Sequence, residues 1–293
     1  MPRTALVLTC VALIEAATCS GCSRSHRDAT GAWPDHAARL TVLPLHGPDG
    51  FQVRKIYIDA GHGAPGNTGN VSSWCVDEQD FTLAAARHLA SSLRATGHFE
   101  TRVSRDREPV PYADRVREAE AWGADAFLSL HSDVRGVARS WSPRAGLSCQ
   151  RSDVEPGFAV LFSDEASDAV VAGRRKLALL VASRMSASGF VPYDGAEYTR
   201  AYAPDGERPG VFVDRHPAAK RIYVLREPTM PSVLIETHNA LHSAEAARFA
   251  EPATLDAFDA AVASALVDLF SGAEALFCGS EPDRRQSGNL PSR

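Results

Sequence analysis

Between residues 51 and 272 the chain alternates two patterns of apolar and polar positions. Short β-prone runs occur at residues 55–59 (KIYID), 100–104, 126–130 (AFLSL), 158–162 (FAVLF), 221–225 and 233–236. Between them lie segments of helical period. Phe81, Ala85, Leu89 and Leu93 fall four apart on one face, and Gly97 stands where a helix would stop. Residues 112–122 predict a second helix that ends before Gly123, and residues 166–188 a long one with Leu177, Leu180, Val181 and Met185 on one side. Residues 254–270 predict the last. A strand that must bury both faces needs helices above and below it, so alternating segments of this kind predict a three-layer α/β domain. Its central sheet should be mainly parallel, with about six strands.

Several stretches break the rhythm. Residues 134–156 and 192–219 are rich in Gly, Pro and charge, and loops of such length in a compact domain are functional or disordered. Residues 23–50 are small and polar, with Pro34, Pro44 and Pro48, and read as a tether carrying at most a short strand near residues 40–43. Residues 273–293 read as a flexible tail. At the other end, one positive charge at Arg3 precedes a short apolar run to Leu13 and then small residues. A run this short does not span a bilayer, which needs about 20 apolar residues, so residues 1–22 read as a secretory signal. Glu15 sits badly in that pattern. Ser20-Gly21-Cys22 resembles the end of a bacterial lipoprotein signal, although Cys19 stands where leucine is usual. The expected location is the periplasm or cell envelope, with membrane contact only through a lipid on Cys22; an uncleaved N-terminus is the plainer alternative.

The 293 residues suffice for one sizeable domain with appendages, and 44% hydrophobic with 23% charged residues sets global disorder aside. A net charge of -5 gives no basic excess, so nucleic acid is not an expected partner. Of six cysteines, Cys10, Cys19 and Cys22 lie in the signal region. Cys75, Cys149 and Cys278 remain, without a CxxC pair, and in an oxidising compartment Cys75 with Cys149 is the expected disulfide.

Ligands in open α/β sheets bind beyond the carboxyl ends of the strands. KIYID runs into Ala60-Gly61-His62, AFLSL into His131-Ser132-Asp133, and SVLI into Glu236-Thr237-His238. Glu78 comes just ahead of the first helix and can face the same rim. Two histidines and one carboxylate form a catalytic zinc set that leaves a position open, and a further carboxylate, Glu236, can move protons as general acid and base. Each residue also has a plainer use. A histidine after a strand is often a hydrogen-bonded loop residue, Glu78 can favour a helix start through the macrodipole, and Glu236 can be a surface carboxylate. Spacing alone leaves both readings open.

Residues 56–63 (IYIDAGHG) resemble the first motif of the zinc-dependent N-acetylmuramoyl-L-alanine amidases, the cell-wall hydrolases of bacteria. Residues 78–84 (EQDFTLA) resemble their second, residues 124–133 (ADAFLSLHSD) their third, and residues 223–226 with 230–237 (MPSVLIET) their last. The similarity runs in order from about residue 54 to 270, and it implies a phosphorylase/hydrolase-like fold over residues 51–272. It further implies one zinc ion on His62, Glu78 and His131, Glu236 as the catalytic acid and base, and peptidoglycan as substrate. By the same resemblance Arg226 is a candidate substrate contact and a regulatory protein partner is possible, since some members carry a covering segment near residues 134–156. This chain departs from the family pattern at Ala60, where proline is common, and at Thr237-His238-Asn239, where glycine and an apolar residue usually follow the glutamate. His238 is therefore a second candidate substrate contact. Two other readings stay open: a zinc peptidase of related fold acting on another substrate, and a non-catalytic wall-associated lipoprotein.

Overall fold

The computed structural model describes residues 32–198 and 200–272. The signal at residues 1–22, the tail at 273–293 and Cys278 lie outside the described residues. In chain order the elements are β1 (Arg54–Ala60), α1 (Glu78–Ala95), β2 (Phe99–Val103), α2 (Tyr112–Trp122), β3 (Ala126–Asp133), β4 (Arg139–Trp141), β5 (Cys149–Arg151) and β6 (Ala159–Phe162). There follow α3 (Asp168–Ser188), β7 (Tyr202–Pro204), β8 (Val211–Asp214), α4 (Tyr223–Arg226), β9 (Ser232–Asn239), α5 (Ser243–Arg248) and α6 (Pro252–Ser271).

Seven strands form the central sheet in the order β2-β1-β3-β9-β6-β8-β7, and β4 pairs with β5 in a separate hairpin. The pairs β1–β2, β1–β3, β3–β9 and β6–β8 are parallel, while β6–β9 and β7–β8 are antiparallel. The mainly parallel sheet explains why the β1, β3 and β9 runs are nearly uninterrupted in apolar residues: both of their faces are covered. On one face Ile56, Leu128 and Val233 meet α1, α3 and α6 through Leu89, Leu93, Leu177, Val262 and Leu266. Each leucine buried completely there contributes roughly 2 kcal/mol. On the other face Tyr57 and Phe127 meet α2 and α4 through Val116, Ala119 and Val224. Gly123 ends α2 in the left-handed region (φ 70°), where its N–H returns to Ala119 and Glu120 carbonyls; a side chain would strain that turn.

The three layers match the sequence expectation, with seven strands instead of about six. The difference has two parts. Residues 221–225 are not a strand: Tyr223–Arg226 forms the short helix α4. Its β-branched residues are locally strand-prone, but the one-turn helix buries Val224 in the α2 side and Leu225 against Leu161, Phe212 and Leu234, which an edge strand could not do at once. Conversely, the long stretch 192–219 hides β7 and β8, and all of β8 is buried.

Residues 32–50, read as part of a tether, instead pack on the domain. Trp33 is 6% exposed, lies edge-on to Phe190 and Phe249, and donates its indole N–H to Glu245 Oε1 at 2.6 Å. Arg248 stacks over Trp33 at 5.1 Å and donates to the Asp35 and Ala38 carbonyls. Leu40, Leu43, Leu45 and Phe51 complete the contact without a strand forming at residues 40–43. The signal missed was a lone tryptophan in a polar stretch.

The disulfide Cys75–Cys149 forms as expected, joining the loop ahead of α1 to strand β5 across 74 residues of chain. A crosslink over so long a loop restricts the unfolded chain. Cys75→Ser is expected to lower unfolding stability by about 2–4 kcal/mol, read as a drop in the urea midpoint at unchanged slope; an unchanged midpoint would show that the crosslink holds only the hairpin.

Candidate metal centre and active site

Strands β1 and β3 are parallel neighbours, so their carboxyl ends lie side by side and carry His62 and His131 to one rim. Glu78 opens α1 and points back at both. Its Oε2 lies 3.1 Å from His62 Nε2 and its Oε1 3.2 Å from His131 Nδ1, and the three donor groups fall within 4.8 Å of one another. His62 holds a left-handed backbone (φ 56°), an uncommon state for a residue with a side chain, which costs about 1 kcal/mol or more and turns the chain immediately after β1.

The hydrogen bonds behind the rings decide what these groups can hold. Asn67 Oδ1 accepts from the Gly69 N–H at 3.1 Å and lies 2.9 Å from His62 Nδ1, so Nδ1 carries the proton and donates. Ser129 Oγ lies 2.7 Å from Asp59 Oδ2, and that carboxylate pairs with Arg115 at 2.8 Å with both side chains fully buried. The serine must therefore donate to Asp59 and accept from His131 Nε2 at 3.1 Å. Both rings consequently turn a lone pair toward the Glu78 carboxylate. Lone pairs facing a carboxylate at this range repel unless a cation lies among them, so the donor set fits a divalent metal, or failing that two protons.

The rest of the local structure holds this arrangement still. Glu78 is 3% exposed and accepts from the Asn70 side chain at 2.7 Å, the Asn70 N–H at 3.0 Å and the Ser132 N–H at 3.0 Å. Burial alone would raise its pKa, but the bonds and charge of His131 and His62 bring it far below the usual range. For His62, burial is outweighed by the bond and charge of Glu78, which raise its pKa. Two glycines are needed for the close approach. A Cβ on Gly69 would fall 2.6 Å from Glu78 Oε2 and 2.7 Å from His62 Cγ, and one on Gly61 2.5 Å from His131 Nε2.

Glu236 stands directly opposite His131 in the β3–β9 register. Its Oε2 is shut from solvent with no hydrogen-bond partner. Burial first, then the negative charges of Asp133 and Glu78, push its pKa well up. Asp133 in turn accepts from Arg135 Nε at 2.9 Å and from the Tyr198 hydroxyl. Tyr198 and Tyr202, from the 192–219 stretch, are raised in pKa by burial and by the charges of Asp133 and Glu236, which puts both phenols beside the site. Sequence reasoning passed over these tyrosines; the only signal was the recurrence of aromatic residues at 193, 198 and 202 in a stretch too long for a plain loop.

The remaining candidates, His238 and Arg226, are held by other contacts. From His131–Glu236 to Asp133–Asn239 the ladder advances two residues on β3 and three on β9. This bulge turns His238 to the opposite face of the sheet from Glu236. There it stacks on Phe249 at 4.6 Å and meets Phe81 edge-on at 5.0 Å. Burial, helped by the charge of Arg135, lowers its pKa to about 3, so it is a neutral aromatic side chain near Glu78 rather than a titrating neighbour of Glu236. The Arg226 guanidinium bonds Glu227 at 2.8 Å and the Ala218 carbonyl at 3.2 Å. Among the described residues the sole carboxylate on His62 or His131 is that of Glu78.

A profile of the N-acetylmuramoyl-L-alanine amidases matches residues 56–268, and the chain belongs to that family. The sporulation-specific N-acetylmuramoyl-L-alanine amidase of Bacillus subtilis is 40% identical over 88 residues, 28% of this chain and 32% of that protein. The matched stretch spans between 19% and 47% of the length of the curated relatives. Among solved structures, an N-acetylmuramyl-L-alanine amidase of Mycobacterium smegmatis superposes with a TM-score of 0.59 at 18% identity, covering 76% of this chain and 99% of that one. The amidase of Clostridium difficile 630 gives 0.57 at 21% identity, covering 76% and 100%. At these identities the likeness is one of fold.

The serine between Asp59 and His131 gives a direct test of the donor set. Ser129→Ala removes the acceptor that orients the ring, and is expected to weaken zinc binding by about 10–100-fold, measured by competition with a chromophoric chelator, with far-UV circular dichroism unchanged. Unaltered affinity would take the Arg115–Asp59–Ser129 chain out of the metal site.

Proposed function

We propose that this chain hydrolyses the amide between the lactyl group of N-acetylmuramic acid and the L-alanine of the stem peptide in peptidoglycan. In this reading one zinc ion is held by His62, Glu78 and His131, and Glu236 is the acid and base. The observation that carries it is the convergence of both imidazole lone pairs on Glu78, with Glu236 in register beside His131 at the rim where this family's motifs meet. Zinc bound to these groups supplies positive charge that polarises an amide carbonyl and makes water nucleophilic at neutral pH.

The chain's own residues do the rest. Glu236 takes a proton from the attacking water and returns it to the departing alanine nitrogen as the C–N bond breaks, so the products are a lactyl carboxylate and a free amine. No hydrogen bond to Oε2 competes for that carboxyl group. Arg115, Asp59 and Ser129 keep the His131 ring in one tautomer. We also propose the cell envelope as the site of action, since the Cys75–Cys149 disulfide suits an oxidising compartment.

The test incubates the purified protein with a defined muropeptide, with and without a chelator. Release of free stem peptide from intact glycan, lost on chelation and restored by zinc, is the expected result. Glu236→Gln is expected to keep stoichiometric zinc while lowering kcat by about 10²–10⁴-fold. Chelator-insensitive release, or a glutamine variant at wild-type rate, would remove these assignments.

A further inference from the structure

Residues 136–154 fold back as the β4–β5 hairpin, tied to the domain at three points. Cys149 is bonded to Cys75, the Ser152 N–H donates to the Leu241 carbonyl at 3.0 Å, and Asp153 accepts from the Ser243 N–H at 2.8 Å. Along this hairpin, closed at one end by Glu197, lies a trough of about 690 Å³, bordered by Gly136, Arg139, Trp141, Arg151 and Asp153. Its Gly136–Glu197 end is linked to the proposed active site through the chain, since Asp133, three residues before Gly136, accepts from Tyr198, the residue after Glu197. Gly136 follows His131 by five residues, at most about 17 Å of extended chain. Glu197 precedes Tyr198, which bonds Asp133 beside Glu236.

The charges in the trough are mostly satisfied, which makes the exceptions informative. Arg151 pairs with Asp153, and both oxygens of Glu197 accept from the Gly136 N–H at 2.9 and 3.0 Å. The Arg139 guanidinium is exposed and unpaired among the described residues. Trp141 carries Arg151 over its ring at 4.4 Å, and its indole N–H is buried with no acceptor. Two donors from alternate residues of β4, which share one face of the strand, therefore border the trough without a protein acceptor, and a carboxylate is the group that supplies one. Peptidoglycan stem peptides carry free carboxylates, whereas a glycan strand offers mainly neutral hydroxyl and amide groups.

We infer that the trough bordered by the β4–β5 hairpin and Glu197 is a subsite for a stem-peptide carboxylate, read by Arg139 and Trp141. The inference rests on the amidase reading for its choice of substrate. It makes the hairpin an arm that selects acidic stems over amidated ones.

The experiment compares two muropeptides that differ only in whether the stem carboxylates are free or amidated, using the zinc-loaded full chain. Wild type is expected to favour the free acid by about tenfold in kcat/KM, the worth of one charge-assisted hydrogen bond. Arg139→Gln should raise KM for the acidic substrate by about the same factor and erase the preference, and Trp141→Phe should reduce it while keeping the ring. Arg144→Gln, on the same hairpin but outside the trough, should retain it. Equal turnover of the two substrates by wild type, or loss of preference in Arg144→Gln as well, would overturn the subsite. Calorimetric binding of the two free stem peptides separates this outcome from failure of the amidase reading. Binding that favours the acid and depends on Arg139 supports the subsite even if neither muropeptide is cleaved, and equal binding of acid and amide overturns it.

Discussion

Two imidazole lone pairs and a buried carboxylate face one another at the carboxyl ends of β1 and β3, and that arrangement is stable only around positive charge. Its existence depends on what lies behind the rings. If Asn67 and Ser129 did not take the outward N–H groups, the tautomers would be free and the site would relax to ordinary histidine–glutamate hydrogen bonds. Ser129 can accept only because Asp59 takes its proton, and Asp59 is itself held in a fully buried position by Arg115. A buried ion pair of this kind contributes little net stability, since desolvation offsets its attraction. Its value is directional: it sets one tautomer at the candidate metal centre.

The sheet supplies the positions. Parallel pairing of β1, β3 and β9 brings three strand ends to one edge, and the register places Glu236 across from His131 rather than a residue away. The extra residue in β9 then separates two functions that a regular strand would have mixed. In a regular strand His238 would share the Glu236 face and compete for its proton. The bulge sends it into the aromatic layer of Phe81 and Phe249, where it is neutral and apolar in behaviour.

The parts legible in the sequence are those governed by short-range rules. β1, β3 and β9 are continuous apolar runs because both faces are buried, α1 has a regular four-residue period, and the residues at their ends follow by adjacency. Hence His62, His131 and Glu236 were readable as a cluster, whereas Glu78 needed the family likeness, its loop being positioned by Asn70 and Gly69 rather than by any periodicity. Features that depend on contacts distant in sequence were not readable. β8 is a buried strand embedded in a polar stretch, α4 is strand-prone locally but helical in place, and Trp33 finds Glu245 across 212 residues. The register shift that moves His238 leaves no mark in composition or spacing.

The same division runs through the site itself. Asp59, Ser129 and His131 sit on strands and Glu78 at a helix start, where a shift of a residue would lose every bond at once. The rim is built instead from the 134–156 and 192–219 stretches, fastened by one disulfide, by the Arg135 guanidinium lying 3.9 Å over Tyr193, and by Tyr198 on Asp133. These fastenings fix the loops to the site without passing through the metal ligands. Side chains on the rim can therefore vary and set which part of a substrate is held, while the chemistry beneath them stays as the sheet dictates.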